Sequence, residues 1–167
     1  MMETKNKQQT SKVEFSESAR KEFDEILKRY PDKRSAMLPT LHLAQREFGY
    51  ISPDVMEYVS KLLDVAVGDV LDTTTFYTMF KLKPTGKYHI QVCRTLSCAL
   101  RGAREIYEHL EEKLGITEGE VTPDGKFSLM KVECLGSCGT APVVQINDDY
   151  YEGLTIEKLD EILDKLE

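Results

Sequence analysis

Long hydrophobic runs are missing from this sequence of 167 residues. No stretch approaches the roughly 20 consecutive apolar residues that a membrane-spanning helix needs. The opening stretch, MMETKNKQQTSKVEF, is polar and lacks the apolar core of a signal peptide. We therefore expect a cytoplasmic protein that does not insert directly into a membrane.

Basic residues are too few, and too evenly mixed with acidic ones, for a nucleic-acid-binding surface. The chain has 22 Lys and Arg against 29 Asp and Glu, a net charge of −7, and the whole acidic excess lies in residues 87–167. Phosphate backbones are bound by clustered Lys and Arg, and no such stripe occurs here. The sequence therefore predicts no nucleic-acid partner.

Signals for an active site within this chain are also absent. No G-x-G-x-x-G motif follows a predicted strand, so a local nicotinamide site is not expected. No motif indicates a general acid, a general base or an activated nucleophile. We predict no catalytic residue and no complete active site in this chain alone.

Helical periodicity dominates the first half of the chain. One amphipathic face runs through residues 16–30 and includes Tyr30, and a strong start signal occurs where Ser52 precedes Pro53. The segment 67–80 is rich in β-branched and aromatic residues, which favour a strand, but we assign it to a helix because of its position. The predicted helices cover 16–30, 33–48, from 53 onward, and 67–80.

A change of pattern follows the stretch KLKPTGK at 81–87, whose proline and glycine are typical of a linker. Beyond it the order is β-α-β-β-α, which predicts a small sheet with helices packed on it. The predicted elements are a strand leading to Cys93, a helix at 98–114, strands at 127–132, 143–146 and 150–152, and a helix starting at Thr155 that buries Ile156. The predicted domains are a disordered tail at 1–14, a helical bundle at 15–83 and an α/β domain at 84–167.

Cysteine is scarce, but the four cysteines fall into two pairs that are each close in sequence. Cys93 and Cys98 have four residues between them, and Cys134 and Cys138 have three. In both pairs a predicted strand leads into the loop, so the four sulfurs should meet at one edge of the sheet. The spacing leaves three interpretations open: disulfides, which a reducing compartment disfavours; structural zinc, which usually has closer pairs; and a 2Fe-2S cluster, which tolerates wider spacing.

Small residues around the second pair favour the cluster. Gly136, Gly139 and Ala141 allow the backbone to curl tightly and direct N–H groups at sulfur. Cys98, at the expected start of a helix, would also gain from the positive end of the helix dipole. For one glycine alone, plain turn geometry is the better explanation, but several glycines interleaved with two cysteines favour a role at the sulfurs.

These stretches resemble a known family. CRTLSCALRG (93–102) and CLGSCGTAPV (134–143) are similar to the thioredoxin-like 2Fe-2S subunit of NADH:quinone oxidoreductase, respiratory complex I. LHLAQREFGYIS (41–52) and TFYTMF (75–80) resemble its helical half. The resemblance implies an α+β fold: an N-terminal helical bundle followed by a thioredoxin-like α/β domain.

The resemblance also implies the site and the partners. It implies that Cys93, Cys98, Cys134 and Cys138 bind one 2Fe-2S cluster, and that Pro142 follows a cis peptide bond. The chain would be a one-electron carrier beside the flavin-bearing, NADH-oxidising subunit, which would hold FMN and NADH, among the other peripheral-arm subunits of complex I. Arg94, Arg101 and Arg104 would supply positive charge beside the cluster.

Two other functional classes remain open at this point. One is the equivalent diaphorase subunit of an NAD-linked hydrogenase or formate dehydrogenase, since such complexes use similar proteins with the same cysteine pattern. The other is an interaction module with structural zinc and no redox role. The resemblance favours the subunit of NADH:quinone oxidoreductase, an enzyme complex attached peripherally to the membrane.

Overall fold

The structure is a computed structural model that describes residues 13–166. The chain divides after Pro84 into two compact units. We propose that these units are separate domains, with the linker around Pro84 as their boundary.

The predicted disordered tail, 1–14, lies outside the described residues except for Val13 and Glu14, and Val13 packs against the core of the first unit. No helix in the described range is long and apolar enough to cross a membrane.

The first unit consists of helices and turns. Its helices are α1 (Glu17–Leu27), α2 (Met37–Phe48), α3 (Pro53–Leu63) and α4 (Val67–Phe76), with a 3-10 turn at Arg34–Ala36. Ser16 and Ser52 each accept a hydrogen bond from a backbone N–H in the first turn of the helix that follows, which satisfies a donor without an intrahelical partner. Phe23, Leu41 and Val59 are fully buried in its apolar core.

The helix predictions for this unit are confirmed, with corrected ends. The first helix stops at Leu27, and Tyr30 is 38% exposed, because the chain turns before Pro31 and the residue preceding proline disfavours the helical conformation. Pro39 lies in the first turn of α2, where its missing N–H costs nothing. The segment at 67–80 is helical, but only to Phe76.

The second unit is a mixed sheet with helices. Its elements are β1 (Tyr88–Cys93), α5 (Leu96–Leu100), α6 (Ala103–Leu114), β2 (Phe127–Val132), β3 (Val143–Ile146), β4 (Asp149–Glu152) and α7 (Ile156–Leu163). The strand order is β2-β1-β3-β4. β1 pairs parallel with β2 and antiparallel with β3, and β3 pairs antiparallel with β4. The parallel pair places the ends of β1 and β2 at the same edge of the sheet.

The core of this unit lies between the sheet and its helices. Ile90 and Leu129 from the strands are buried with Leu110 of α6 and Leu159 of α7. The predicted strands and the β-α-β-β-α order are confirmed. Ile156 was expected in the core, but it is 37% exposed, because it is the first residue of α7 and lies at the end of the helix, before the part of the face that buries Leu159 and Leu163.

An ionic cluster joins α6 to α7. The Asp160 carboxylate lies 2.8 Å from both His109 Nε2 and Lys113 Nζ. The hydrogen bond from Lys113, with that from His109, holds the pKa of Asp160 below its ordinary value of 3.8. A carboxylate with a lowered folded-state pKa stabilises the folded state above its unfolded-state pKa, and this contribution disappears as the pH falls through the folded-state pKa.

We therefore expect Asp160→Asn to lower the free energy of unfolding at pH 7. The side chain is about one-third exposed, so solvent screening limits the loss to about 1 kcal/mol. Urea unfolding of the apoprotein, followed by circular dichroism, should show a difference from the unchanged protein that shrinks as the pH falls below 3.8. Asp164→Asn, which removes a 3.6 Å contact with Lys113, is the control with a smaller effect. A difference that grows in acid would contradict this assignment.

Candidate metal centre

The four cysteines lie at the edge of the sheet where β1 and β2 end. Cys93 is the last residue of β1 and pairs in register with Val132, the last residue of β2. Cys134 follows β2 by two residues, and Cys138 opens a 3-10 turn. Cys98 is the third residue of α5. All four are free thiols.

Contacts at Cys93 connect the two cysteine loops. Both neighbours of Cys134 in the chain contact the sulfur of Cys93. The Glu133 carbonyl oxygen lies 3.5 Å from Cys93 Sγ, and the Leu135 N–H donates a hydrogen bond to that same atom. The Cys93 thiol also interacts with the Cys98 thiol. The structure therefore brings together the loops that spacing alone had paired.

Backbone N–H groups point at the sulfurs. Gly136 N lies 3.4 Å from Cys134 Sγ. The N–H groups of Thr95 and Leu135 donate to Cys93, and that of Val143 donates to Cys98. Such donors favour a negatively charged sulfur, which is the form that binds metal. Donors were expected from Gly136, Gly139 and Ala141; Gly136, with φ +81°, is one of the observed donors, and the others are Thr95, Leu135 and Val143.

Burial divides the thiols into two kinds. Cys93 and Cys98 are each 2% exposed, whereas Cys134 and Cys138 face solvent. Burial, together with the neighbouring Cys93, raises the pKa of the Cys98 thiol to about 11. Burial also acts to raise the pKa of Cys93, but the hydrogen bonds from Thr95 and Leu135 outweigh it and the pKa is lowered. The Cys93 thiol therefore loses its proton at a lower pH than the Cys98 thiol.

The helix predicted at 98–114 is wrong as a single element. Gly102, with φ +98°, separates α5 from α6. Cys98 is therefore held in a helix of only five residues, and not at the start of a long one. The left-handed backbone at Gly102 ends one helix and starts another, which helical periodicity across the break could not reveal.

Two of the three arginines near the cysteines are paired with carboxylates, and the third is bonded to a backbone carbonyl. Arg94 is paired with Glu133, and Arg104 lies 2.7 Å from Glu108. The Arg101 side chain donates to the Ala141 carbonyl oxygen at 2.8 Å. The expected local positive charge is therefore neutralised at two of the three positions. The Arg94 pair instead joins the two cysteine loops, a contact hidden from sequence because it depends on the pairing of β1 with β2.

The Ala141–Pro142 peptide bond is cis, as predicted. It precedes β3, and the Thr140 carbonyl oxygen just before it accepts a hydrogen bond from Gly153 at 2.6 Å. The second cysteine loop thus runs from the end of β2 to the start of β3 and is also hydrogen-bonded to the residue that follows β4.

The donor set fits a 2Fe-2S cluster, which takes four cysteine thiolates. Neither 95–100 nor 134–147 contains a charged residue, so no carboxylate within these stretches opposes a negatively charged group. Within residues 13–166, no three His, Cys, Asp or Glu side chains form a group that could hold one metal ion. Two irons do not need such a group, because each takes two protein thiolates.

Comparison with known families gives a clear result. Residues 23–167 match the family described as thioredoxin-like [2Fe-2S] ferredoxin. The chain belongs to this family. The resemblance drawn from the cysteine motifs and the predicted α+β fold, with a thioredoxin-like C-terminal part, are confirmed.

Individual relatives of this ferredoxin family member cover most of its length. The E subunit of NADH-quinone oxidoreductase from Rickettsia bellii is 55% identical over 146 residues, which are 86% of this chain and 87% of the relative. NADH-quinone oxidoreductase subunit 2 of Thermus thermophilus is 47% identical over 144 residues, with 84% and 80% covered. The relatives are subunits of an oxidoreductase complex, as the resemblance implied.

A solved structure shares the fold over much of the chain. An NAD+-reducing [NiFe]-hydrogenase in the air-oxidized state aligns with a TM-score of 0.66 and 22% identity, over 78% of this chain and 22% of the hydrogenase chain. The present chain thus corresponds to about a fifth of that longer one. At this identity the similarity concerns the fold.

Proposed function

We propose that Cys93, Cys98, Cys134 and Cys138 bind one 2Fe-2S cluster, and that the chain is a one-electron-transfer subunit. The observation that carries the proposal is the convergence of backbone N–H donors on sulfurs from two loops, at the end of a pair of parallel strands. A bound cluster supplies reversible uptake of a single electron. Membership of the family supports this assignment.

The protein contributes ligands and a polar environment, and not proton chemistry. Each loop offers two thiolates, and the N–H groups of Leu135, Gly136 and Val143 offset negative charge on sulfur. The buried positions of Cys93 and Cys98 keep water from one side of the site, while the exposed Cys134 and Cys138 leave the other side open to a partner.

For the host complex we propose NADH:quinone oxidoreductase. Relatives with that name are about half identical to this chain and align over more than four-fifths of it. The immediate partner would be the flavin-bearing, NADH-oxidising subunit, which would hold FMN and NADH, with other peripheral-arm subunits nearby. The complex would hold the chain on the cytoplasmic side of the membrane. Hydrogenase or formate dehydrogenase as host stays an alternative prediction, because the hydrogenase similarity concerns the fold.

Anaerobic purification with iron and sulfide supplied should give a red-brown protein with two irons and two sulfides per chain. Dithionite should reduce it by one electron and produce a rhombic EPR signal, because one electron on a 2Fe-2S pair leaves an odd electron count. In a second arm, NADH should produce the same signal only when the flavin-bearing subunit of the same organism is present.

The two arms separate the parts of the proposal. A folded, colourless protein that carries zinc and no iron would contradict the cluster assignment. A cluster that titrates at or above the potential of NADH, and that dithionite reduces but NADH with the flavin subunit does not, would instead contradict the proposed partner.

A further inference from the structure

One N-cap threonine is not used as a cap. Thr95 precedes α5 with the extended backbone, φ −77° and ψ 170°, that is usual at this position. The Ser16, Ser52 and Thr155 side chains, at the starts of α1, α3 and α7, each accept from a backbone N–H of the first turn. The Thr95 hydroxyl makes no such bond. Its hydrogen-bonding capacity is directed elsewhere.

The Thr95 hydroxyl contacts a cysteine sulfur. Its Oγ1 atom lies 3.2 Å from Cys93 Sγ. The Glu133 carbonyl oxygen, 3.5 Å from the same sulfur, can only accept a hydrogen bond, so it serves the protonated thiol alone. When Cys93 is a thiolate, the sulfur has no proton and the Thr95 hydroxyl must be the donor. Thr95 is therefore able to stabilise charge on this buried sulfur, and unlike the Cys98 thiol it is not itself a proposed ligand.

We propose that Thr95 sets the reduction potential of the site by donating its hydroxyl hydrogen bond to Cys93. The inference rests on the proposed cluster binding. An added electron increases the negative charge on the ligand sulfur, so a donor at 3.2 Å binds the reduced state more strongly than the oxidised state. The effect is large because Cys93 is buried, where water cannot replace the lost donor.

Thr95→Val tests the proposal, because valine keeps the branched shape and removes the hydroxyl. In the iron-loaded full chain, titrated with dithionite under EPR, one-electron reduction should be about threefold to tenfold less favourable, a potential lower by about 28 to 59 mV. Thr95→Ser, which keeps the donor, should stay close to the unchanged protein. If Thr95→Val holds no cluster, Thr95→Ala replaces it with the same expectation.

Thr140→Val is the matched control. Thr140 lies in the other cysteine loop, and its hydroxyl donates to the Ser137 carbonyl oxygen at 3.3 Å. Its loss should leave the potential unchanged, because that hydroxyl is bonded to a carbonyl and not to sulfur.

Two results would overturn the inference: a Thr95→Val potential equal to that of the unchanged protein, or a Thr95→Ser potential as low as that of Thr95→Val. The second result would assign the effect to altered packing at position 95 and not to loss of the hydroxyl donor. Failure of the proposed function is distinguishable, since the unchanged protein would then bind no iron and give no potential at all.

Discussion

Replacing Cys98 with alanine is expected to reduce the iron and sulfide bound per chain to less than about a tenth of the normal content, because a ligand of the proposed cluster disappears outright. Alanine is the informative choice, since serine would leave an oxygen that can bind iron. Iron and sulfide analysis after anaerobic reconstitution, with the visible spectrum, measures the loss. The same result is expected at Cys93, Cys134 and Cys138.

Ser97→Ala is the matched control for this experiment. Ser97 neighbours Cys98 in the same short helix, so its replacement tests any general damage to α5. It should keep full iron and sulfide content. Circular dichroism should show that the Cys98→Ala apoprotein remains folded, because the unit also has a core of aliphatic side chains. An alanine variant at any of the four positions with normal iron, sulfide and colour would remove that residue from the ligand set.

Gly86→Ala is expected to destabilise the second unit strongly. A Cβ atom at Gly86 would lie 2.5 Å from the backbone carbonyl carbon of Phe127 and 2.8 Å from its Cα. Backbone atoms cannot rotate away, so the starts of β1 and β2 must separate. Hydrogen bonds from Lys87 to Gly125 and from Tyr88 to Lys126 hold these strand starts together. We expect a loss of about 3 kcal/mol in the free energy of unfolding.

Urea unfolding of the apoprotein measures this loss, with Gly139→Ala as control. Gly139 belongs to the same unit and does not have a positive φ, and a methyl group placed on its Cα would meet no atom within 4 Å beyond its own chain neighbours. Alanine there should change the free energy of unfolding by less than about 1 kcal/mol. Equal effects at the two glycines would show that the close approach of Gly86 to Phe127 is relieved without cost.

Local sequence patterns were enough to predict most of the helices and strands. Strict alternation in β1 and the Ser52-Pro53 start of α3 lead directly to the observed elements, because both depend on side chains a few residues apart. Local patterns failed at the break between α5 and α6. The apolar residues there keep a helical period on both sides of Gly102, and the period does not record a change of backbone conformation.

The candidate site shows the same division. Spacing predicts that two cysteine pairs follow strands, but it does not show which contacts join them. The approach of Glu133 and Leu135 to Cys93, and the pairing of Arg94 with Glu133, require β1 and β2 to be neighbours in parallel. Thr95 illustrates the limit most directly, because nothing in the sequence indicates that it precedes a helix or that its hydroxyl contacts sulfur.

The sequence by itself determined the family, the helical first part, the β-α-β-β-α order and the four candidate thiols, because motifs and periodicity are properties of neighbouring residues. Only the tertiary structure decided which thiols are buried, which N–H group of the second cysteine loop reaches Cys93, and which carboxylate neutralises Arg94. The physical reason is that these depend on atoms about 40 residues apart in the chain, such as Cys93 and Glu133, which strand pairing brings within 3.5 Å.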